Sequence, residues 1–336
     1  MRSLYGKALF ETELRELPEQ PVTGRMVRVN VYACGVCGTD LHFLRDAGCW
    51  TALGHEIAGL VVETGPEVTR VQHGDRVVVE DVTMCGGCDA CKSGRYDLCQ
   101  APYRLDGQGG MSDQIVVHEN MLNRFDHQIQ WPIAAMTEPL AVAISCVEKL
   151  HLPRHGSVLI YGMGAIGLLC AAYAKISGAL SVDMVGRNSD SQRSARAEVA
   201  AKALGADALY YTEHSVREPR MGSYDAAIVA APPKLVADAL KRVKYGGCVL
   251  ACGITLSGGA SAEIDINDMV MSKKSLITSL AEPAVNFPLA VRLIERGEIN
   301  VNAIITHCLP LSRADELKLL YGGDSAAIKT VMLCRQ

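Results

Sequence analysis

The sequence predicts a two-domain α/β protein in which a doubly wound parallel sheet is joined to a β-rich domain. Its 336 residues are enough for about two domains, and 49% hydrophobic residues with 31 glycines suit a well-buried core. From about residue 138 onward, short apolar strands alternate with helices, which is typical of βαβ units and a parallel sheet. Before that point, short runs rich in β-branched residues predict a β-rich region.

The β-rich domain is predicted from the apolar runs at residues 22–34 and 56–80, which turns such as Thr64-Gly65-Pro66 separate. A cysteine-rich loop follows Val79, at the end of the second run. The domain is assigned as residues 1–137 and 285–336, with a late helix over 289–296 and a closing strand over 330–334.

The second domain, residues 138–284, is predicted to contain the parallel sheet. Its pattern alternates between apolar strands of four to six residues and Ala- or Leu-rich helices. The predicted helices are 140–150, 168–177, 191–204 and 234–243, and the predicted strands are 157–161, 180–185, 208–211, 226–230 and 248–252.

A glycine-rich turn follows the first of these strands. Residues 162–167 read G-x-G-x-x-G and open a helix, which is the context that identifies a dinucleotide-binding turn. The unpaired N–H groups of the helix then face the pyrophosphate. The alternative is a tight turn without a ligand. The residues assigned to the dinucleotide site are Gly162, Gly164, Ala165, Ile166, Gly167, Gly186, Arg187, Asn188, Arg193, Cys252 and Gly253.

The end of the next strand indicates which dinucleotide binds. NAD sites usually place an acid there, about 20 residues after the turn, to hold the ribose 2′-OH. Gly186 occupies that position and Arg187 follows, so there is room and a cation for the 2′-phosphate of NADP. A register shift would instead bring Asp183 to the position and favour NAD. Arg187 could also be a solvated loop residue, as could Arg193 on the next helix.

Four cysteines within 15 residues predict a structural zinc site. Cys85, Cys88, Cys91 and Cys99 read C-x2-C-x2-C-x7-C, and four thiolates at loop spacing match a closed tetrahedral Zn²⁺. The lobe over residues 85–99 has almost no apolar residues of its own, so the metal must stabilise it. The alternative is a pair of disulfides.

A second metal site is predicted around Cys37 and His55, since a thiolate and an imidazole are both good zinc ligands. A catalytic zinc keeps one position open for water or substrate. A further ligand must come from elsewhere, and Glu56 and Glu138 are the candidates.

Composition excludes several other classes of protein. The net charge is −4 with no basic stripe, so nucleic acid is not an expected partner. No stretch reaches the roughly 20 apolar residues of a membrane span, and the first ten residues do not resemble a signal peptide. The scattered remainder of the 13 cysteines is typical of packed, reduced thiols. The expected location is therefore the cytoplasm.

Together these motifs resemble those of the zinc-dependent medium-chain alcohol dehydrogenases, in the branch of the sorbitol (polyol) and threonine dehydrogenases. The resemblance covers nearly the whole chain and implies a GroES-like fold for the β-rich domain. The matching motifs are Gly54-His55-Glu56 with the glycines that follow, the four cysteines, Gly74-Asp75-Arg76-Val77, Glu138-Pro139-Leu140-Ala141 and Ile305-Thr306-His307.

The resemblance implies roles for the matched residues. Cys37 and His55 would ligate the catalytic zinc, and Glu56 and Glu138 would compete for a third place. Thr39 would hydrogen-bond the reacting alcohol, His42 would relay its proton to solvent, and Asp40 would orient His55. The short segment around Cys49 and Trp50, and Met111 to Gln114 in place of the family's G-[FY]-A-E-[YF], depart from the family pattern and predict a reshaped substrate wall.

The resemblance thus implies two Zn²⁺ ions per chain and hydride transfer between NADP(H) and a secondary alcohol or ketone. The substrate would be a polar polyol, sugar, cyclitol or amino alcohol, and the enzyme a homodimer or homotetramer. One alternative is an NAD-dependent threonine- or sorbitol-type dehydrogenase. The other is an inactive protein that binds zinc and a dinucleotide in a structural or sensing role.

Overall fold

The computed structural model describes residues 1–188, 191–213, 218–255, 260–280, 284–321 and 327–335. It confirms the predicted fold class, with one predominantly antiparallel sheet and one parallel sheet as the main layers. No helix among the described residues has both the length and the apolar character that crossing a membrane requires.

The helices and strands of the first region precede the parallel sheet. They are β1 (Arg2–Lys7), β2 (Glu11–Glu16), β3 (Met26–Gly35), α1 (Gly38–Asp46), β4 (Thr51–Ala52), β5 (Glu56–Thr64), β6 (Arg76–Val79), β7 (Val82–Thr83), α2 (Asp89–Lys92), β8 (Tyr103–Arg104), β9 (Gln114–His118), β10 (Leu122–Arg124) and α3 (Trp131–Ala134).

The later helices and strands form the parallel sheet, and the last strands then join the first sheet. They are α4 (Thr137–Lys149), β11 (Ser157–Tyr161), α5 (Ala165–Ile176), β12 (Ser181–Asn188), α6 (Gln192–Ala203), β13 (Ala208–Glu213), β14 (Tyr224–Val229), α7 (Val236–Arg242), β15 (Val243–Ala251), α8 (Ile266–Ser272), β16 (Ser275–Thr278), α9 (Phe287–Glu295), β17 (Ile305–Pro310), α10 (Leu317–Tyr321) and β18 (Lys329–Leu333).

A seven-stranded sheet joins the two ends of the chain. Its order is β10-β6-β5-β3-β18-β17, with β9 paired to β3. The alternating residues Val27, Val29 and Val31 of β3 are fully buried in its core, as expected for the apolar face of a strand. Strand β18 pairs with the end of β3, and Val331 lies opposite Gly35. This pairing brings Lys329 beside the metal ligands described below.

The six-stranded sheet is parallel throughout, in the order β13-β12-β11-β14-β15-β16. This is the 3-2-1-4-5-6 order of doubly wound dinucleotide-binding sheets, in which the ligand binds where the strand order reverses. That point lies between β11 and β14, next to the glycine turn. Helix α4 packs along both α5 and α9, so it connects the parallel sheet to the late helix of the chain.

Most predicted helices and strands are present, with ends shifted by a few residues. The sequence analysis did not predict α1, the N-terminal hairpin of β1 and β2, or α8 and β16. Helix α1 is short and carries polar residues on both faces, so its apolar periodicity is weak. Helix α8 has no buried residue, and a helix with few burial constraints shows little pattern to detect.

Candidate functional site

The four cysteines of the metal lobe converge as predicted. The sulfur atoms of Cys85, Cys88, Cys91 and Cys99 all lie within 4.8 Å of one another, and Cys88 Sγ is 3.9 Å from Cys99 Sγ. Zinc–sulfur bonds of about 2.3 Å in a tetrahedron place the sulfurs about 3.8 Å apart, so the spacing fits that ion. All four cysteines are free thiols, which excludes the alternative of two disulfides in this structure.

Backbone N–H groups support the thiolate form of Cys85 and Cys88, whereas burial raises the pKa of Cys91 to about 12. The N–H of Cys85 lies 3.3 Å from Cys99 Sγ, and the N–H of Gln100 lies 3.5 Å from Cys88 Sγ. Hydrogen bonds from the backbone of Gln100 and then of Cys91 lower the pKa of Cys88 to about 6. A thiol deprotonated at neutral pH is the form that binds zinc, so the lobe fits a structural Zn²⁺.

We expect Cys88→Ser to lower thermal stability far more than it alters the chemistry of the folded enzyme. The lobe outside α2 has few buried residues, so loss of one ligand removes its main source of order. The measurement is a melting curve together with zinc per chain and kcat of the protein that stays folded. Unchanged stability combined with lost activity would show that this site is not structural.

The second predicted site also forms. Ligand atoms of Cys37, His55 and Glu56 lie within 4.8 Å of one another. Cys37 precedes the first residue of α1, whereas His55 and Glu56 begin β5, so two separate segments must be held together. Asp40 does this through the backbone, because its carboxylate accepts the N–H of Cys37 and the N–H of Gly54, both at 2.9 Å.

This arrangement refines the role expected for Asp40. Among the described residues the carboxylate makes no hydrogen bond to the His55 ring; it accepts the backbone N–H of Gly54, the residue before His55. Gly54 has φ +92°, and a Cβ there would lie 2.6 Å from Cys34 Sγ and 2.8 Å from the backbone nitrogen of Met111. The glycine of the Gly-His-Glu motif is therefore required both by conformation and by packing.

Glu56 has a buried partner that sequence reasoning missed. Lys329 Nζ donates to both carboxylate oxygens of Glu56, at 2.6 and 2.7 Å, and to the carbonyl of Val36 at 2.9 Å. The side chains are 3% and 1% exposed. Gly35 makes room for the pair, since a Cβ there would overlap Glu56 Oε2 at 1.8 Å. The only signal in the sequence is a lysine at the start of an otherwise apolar strand.

Glu138 lies beside this group but is not one of the three mutually close ligands. It is buried in the first turn of α4. Burial, followed by the charge of Asp81, raises the pKa of Glu138 well above its usual range, and His55 opposes this rise. Burial also lowers the pKa of His55, but the hydrogen bond and charge of Cys37 outweigh it and the net change is well upward. The described residues thus gather several acids around one imidazole, an environment that favours a divalent cation.

Thr39 and His42 lie three residues apart on α1, on one face of the helix. Thr39 Oγ1 is 3.9 Å from Cys37 Sγ, which places it at the metal site. Within the described part of the chain no hydrogen bond joins Thr39 to His42. His42 Nδ1 is buried without a hydrogen-bond partner and lies 3.9 Å from Asp46 Oδ2. The proton path between the two residues therefore stays a prediction.

The glycine turn has the geometry that a dinucleotide requires. Gly162 has φ +109°, and a Cβ on Gly167 would lie 1.9 Å from the Gly162 carbonyl oxygen, so only glycine permits this helix–strand contact. A Cβ on Gly164 would meet nothing within 4 Å, which leaves its backbone open to a ligand. Helix α5 begins at Ala165. The residues thus fit a pyrophosphate at the helix N-terminus.

The carboxyl end of β15 lies at the same edge of the parallel sheet as the glycine turn. Cys252 and Gly253 follow β15, and Gly253 packs so closely on Ala231 that a Cβ would lie 2.1 Å from its carbonyl oxygen. Gly162 makes the same kind of contact with Ala230, at 2.4 Å. The two glycines therefore flank the segment after β14, at the reversal point of the sheet.

The strand register shows that Gly186 occupies the position at which NAD sites usually carry an acid. Tyr161 pairs with Val185, so β12 passes the end of β11 at Gly186. Asp183 lies three residues earlier and accepts a hydrogen bond from the Tyr224 hydroxyl at 2.6 Å, which opposes the register-shift alternative. The space above Gly186 is not empty, however: a Cβ would lie 2.6 Å from Met163 Sδ.

Two other arginines act on the charge of Arg193, which follows this strand end. Arg187 is exposed after Gly186, and Arg193 lies on α6, where solvent also reaches its side chain. Partial burial, and then the charges of Arg187 and of Arg45 on α1, lower the pKa of Arg193. Sequence reasoning missed Arg45, because it lies on α1, far from Arg193 in the sequence. The side chain of Asn188 lies outside the described part.

Comparison with known proteins shows two matching families. The family described as "Alcohol dehydrogenase GroES-like domain" matches residues 24–126, and the family described as "Zinc-binding dehydrogenase" matches residues 165–296. A D-arabitol-phosphate dehydrogenase of Enterococcus avium is 31% identical over 331 residues, covering 92% of this chain and 91% of the relative. An L-threonine 3-dehydrogenase of Pyrococcus horikoshii is 32% identical over 324 residues, covering 90% of this chain and 88% of the relative.

Solved structures show the same fold. A dehydrogenase from Sinorhizobium meliloti 1021, described as zinc-binding and bound to NADP, superposes with a TM-score of 0.84 at 25% identity. The superposition covers 99% of this chain and 98% of that chain. The sequence identity, the coverage and the shared fold all extend over both halves of the chain.

Proposed function

The chain belongs to the zinc-dependent medium-chain alcohol dehydrogenases, in the branch of the polyol and threonine dehydrogenases, and from that premise we propose that it transfers a hydride between NADP(H) and a secondary alcohol or its ketone. The observation that carries this proposal is the convergence of Cys37 and His55 from separate segments, with Glu56 within ligand distance and Glu138 beside them. The proposed substrate is a polar polyol, sugar, cyclitol or amino alcohol. The two relatives described above are named for arabitol phosphate and for threonine.

The residues of the site have separate tasks in this reaction. When bound, the zinc lowers the pKa of the alcohol and the nicotinamide ring accepts the hydride from the carbinol carbon. Cys37 and His55 hold the ion. Thr39, next to Cys37 Sγ, takes up the proton of the alcohol as it gives its own hydroxyl proton toward His42, and His42 releases a proton to solvent.

We propose Glu138 as the third protein ligand. Glu56 lies closer to Cys37 and His55, but both of its oxygens already accept hydrogen bonds from Lys329. Releasing Glu56 would leave a buried ammonium without its counter-ion, which is strongly unfavourable. Glu56 would therefore replace Glu138 as the third zinc ligand only transiently. Zinc analysis of Glu138→Gln showing a full catalytic site would contradict this assignment.

The preference for NADP over NAD rests on the strand end at Gly186 and on the three arginines. An acid at that position would repel a 2′-phosphate, whereas the charges of Arg45, Arg187 and Arg193 attract one. Met163 above Gly186 limits the room beside the backbone. The phosphate is therefore proposed to lie toward Arg187, on the exposed side.

We expect Arg187→Ala to raise KM for NADP by about tenfold or more and to change KM for NAD little. The guanidinium would pair with the 2′-phosphate, a group that NAD lacks, and charge-assisted hydrogen bonds of this kind are among the strong ones. Steady-state kinetics with both cofactors measure the effect. Arg95→Ala, an exposed arginine on the metal lobe, is the matched control. Equal changes for both cofactors would favour the NAD-dependent alternative.

A panel of alcohols and ketones assayed with NADP and NAD tests the proposed function directly. The panel should contain polyols, sugars, cyclitols and amino alcohols, and each reaction is followed as reduced cofactor formed or consumed. We expect turnover that depends on both zinc and substrate, with NADP preferred. Two zincs per chain and tight dinucleotide binding without turnover of any alcohol would support the inactive alternative instead.

We also propose a homo-oligomer located in the cytoplasm. Helix α8 exposes Ile266, Val270 and Met271 by 63%, 68% and 75%, and it precedes β16, the edge strand of the parallel sheet. An apolar helix face beside an open sheet edge is typical of a subunit contact. The 13 free cysteines suit a reducing compartment. Sedimentation that shows only monomer at micromolar concentration would contradict the oligomer.

A further inference from the structure

Asp81 presents an unpaired carboxylate oxygen that neither the metal site nor the fold uses. The residue follows β6 and Glu80 and precedes β7. Its Oδ1 atom is buried and has no hydrogen-bond partner among the residues that the structure describes. A buried carboxylate oxygen without a donor is costly, because it has lost water and gained nothing in return. Such an oxygen is therefore a candidate for binding a donor group from a ligand.

The strand register places Asp81 next to the metal site. Val79 of β6 pairs with Ile57 of β5 in an antiparallel ladder, so Asp81, two residues after Val79, lies near His55, two residues before Ile57. In agreement with this, the charge of His55 opposes the rise in the pKa of Asp81 that burial causes, and Asp81 is the largest charge effect on the pKa of Glu138. Asp81 is not in the group of ligand atoms within 4.8 Å of one another, so it lies beside the ligand set and is not a member of it.

The neighbouring acid, Glu80, is held by another strand. Its Oε1 accepts a hydrogen bond from Asn123 of β10 at 2.6 Å. Its second oxygen, Oε2, is buried without a hydrogen-bond partner among the described residues, as Asp81 Oδ1 is. Glu80 therefore provides a matched control: a buried acid at the adjacent position whose carboxylate is anchored to β10.

The balance of charge limits what Asp81 can bind. The site contains the acids Cys37, Glu138 and Asp81 in addition to Glu56, and Lys329 is already occupied by Glu56. The charge of Arg104 lowers the pKa of Asp81 less than the charge of His55 does. A further anion such as a phosphate close to the reacting carbon would thus be repelled, whereas a hydroxyl or an ammonium group can donate to Oδ1.

We propose that Asp81 is the residue that selects substrates with a hydrogen-bond donor beside the reacting carbinol, either a neighbouring hydroxyl or a neighbouring ammonium. This inference rests on the proposed dehydrogenase function and narrows its substrate class. Asp81 binds the second polar group of the substrate, and so it holds the carbinol in a single orientation toward the ion and the nicotinamide ring.

The test compares three alcohols that differ only at the neighbouring carbon: butan-2-ol, butane-2,3-diol and 3-aminobutan-2-ol. The zinc-loaded enzyme with its preferred cofactor is assayed as wild type, Asp81→Ala, Asp81→Asn and Glu80→Gln. In Asp81→Ala we expect the kcat/KM ratio of diol to butan-2-ol, and of amino alcohol to butan-2-ol, to fall at least about tenfold. An amide still accepts a hydrogen bond but carries no charge, so Asp81→Asn should keep part of the diol preference and lose the amino-alcohol preference.

The outcomes separate this inference from the function on which it rests. A wild-type preference for the diol alone identifies a hydroxyl, and one for the amino alcohol alone identifies an ammonium. If Asp81→Ala lowers all three values equally, loses the catalytic zinc, or behaves as Glu80→Gln does, Asp81 does not select the substrate, although the dehydrogenase function stands. If no alcohol is oxidised with either cofactor by the wild-type enzyme containing two zincs, the proposed function itself fails.

Discussion

Cys37→Ser should abolish turnover while leaving dinucleotide binding largely intact. The thiolate is one of the two proposed zinc ligands that converge from separate segments, and a neutral hydroxyl is a poor replacement for it. We expect the zinc content to fall from two to one per chain and kcat to fall by on the order of 10³-fold, since the Lewis acid supplies several kcal/mol of transition-state stabilisation. The glycine turn lies in the other sheet and should still bind NADP(H).

The measurements are zinc per chain, kcat on the best alcohol of the panel, and NADPH binding followed by fluorescence. Cys308→Ser is the matched control, because Cys308 is an exposed thiol on β17, outside the residues assigned to either site. It should change none of the three quantities. Loss of NADPH binding in Cys37→Ser would mean that the metal site and the dinucleotide site are not independent, and normal turnover would remove Cys37 from the site.

The second large effect is expected for Lys329→Met. This substitution leaves the carboxylate of Glu56 buried at 1% exposure without its ammonium partner. Breaking a buried ion pair from one side costs about 3–5 kcal/mol, because the remaining charge is neither solvated nor paired. We expect the free energy of unfolding to fall by that amount, measured by chemical denaturation at a fixed zinc concentration.

Two further variants test whether the expected loss of stability in Lys329→Met comes from breaking the buried ion pair. Lys244→Met breaks a pair with Asp225 in which the lysine side chain is 45% exposed, and exposed pairs contribute about 0–1 kcal/mol. The double variant Glu56→Gln/Lys329→Met removes both charges and should recover much of the lost stability. If the single and double variants are equally unstable, packing of the lysine stem and not its charge stabilises this region.

The metal lobe shows why one part of the site could be predicted in detail. Its four ligands lie within 15 residues of sequence, so their convergence depends only on local turns and on the ion. The glycine turn is similar, because the strand before it and the helix after it are adjacent in the chain. In both cases, the residue types and their spacing are sufficient to define the geometry.

The catalytic group was predicted as a set of residues but not as an arrangement. The sequence indicated four candidate ligands, whereas the fold groups only Cys37, His55 and Glu56 closely and leaves Glu138 beside them. It also gave no sign of Lys329, whose partner Glu56 is 273 residues away. A contact of that separation depends on the pairing of β18 with β3, which the local pattern of neither strand specifies.

Residue chemistry and spacing alone therefore predicted the fold class and, as candidates, the cysteines of the metal lobe, the dinucleotide turn and the ligands of the second metal site. These features depend on short segments whose backbone is constrained by glycine, by ligand spacing or by strand–helix alternation. Only the tertiary structure decided that Lys329 pairs with Glu56, that Arg45 and Arg187 both act on Arg193, and that one oxygen of Asp81 has no hydrogen-bond partner among the described residues. Burial and the pairing of charges are properties of the packed chain, since they depend on which distant segments exclude water from one another.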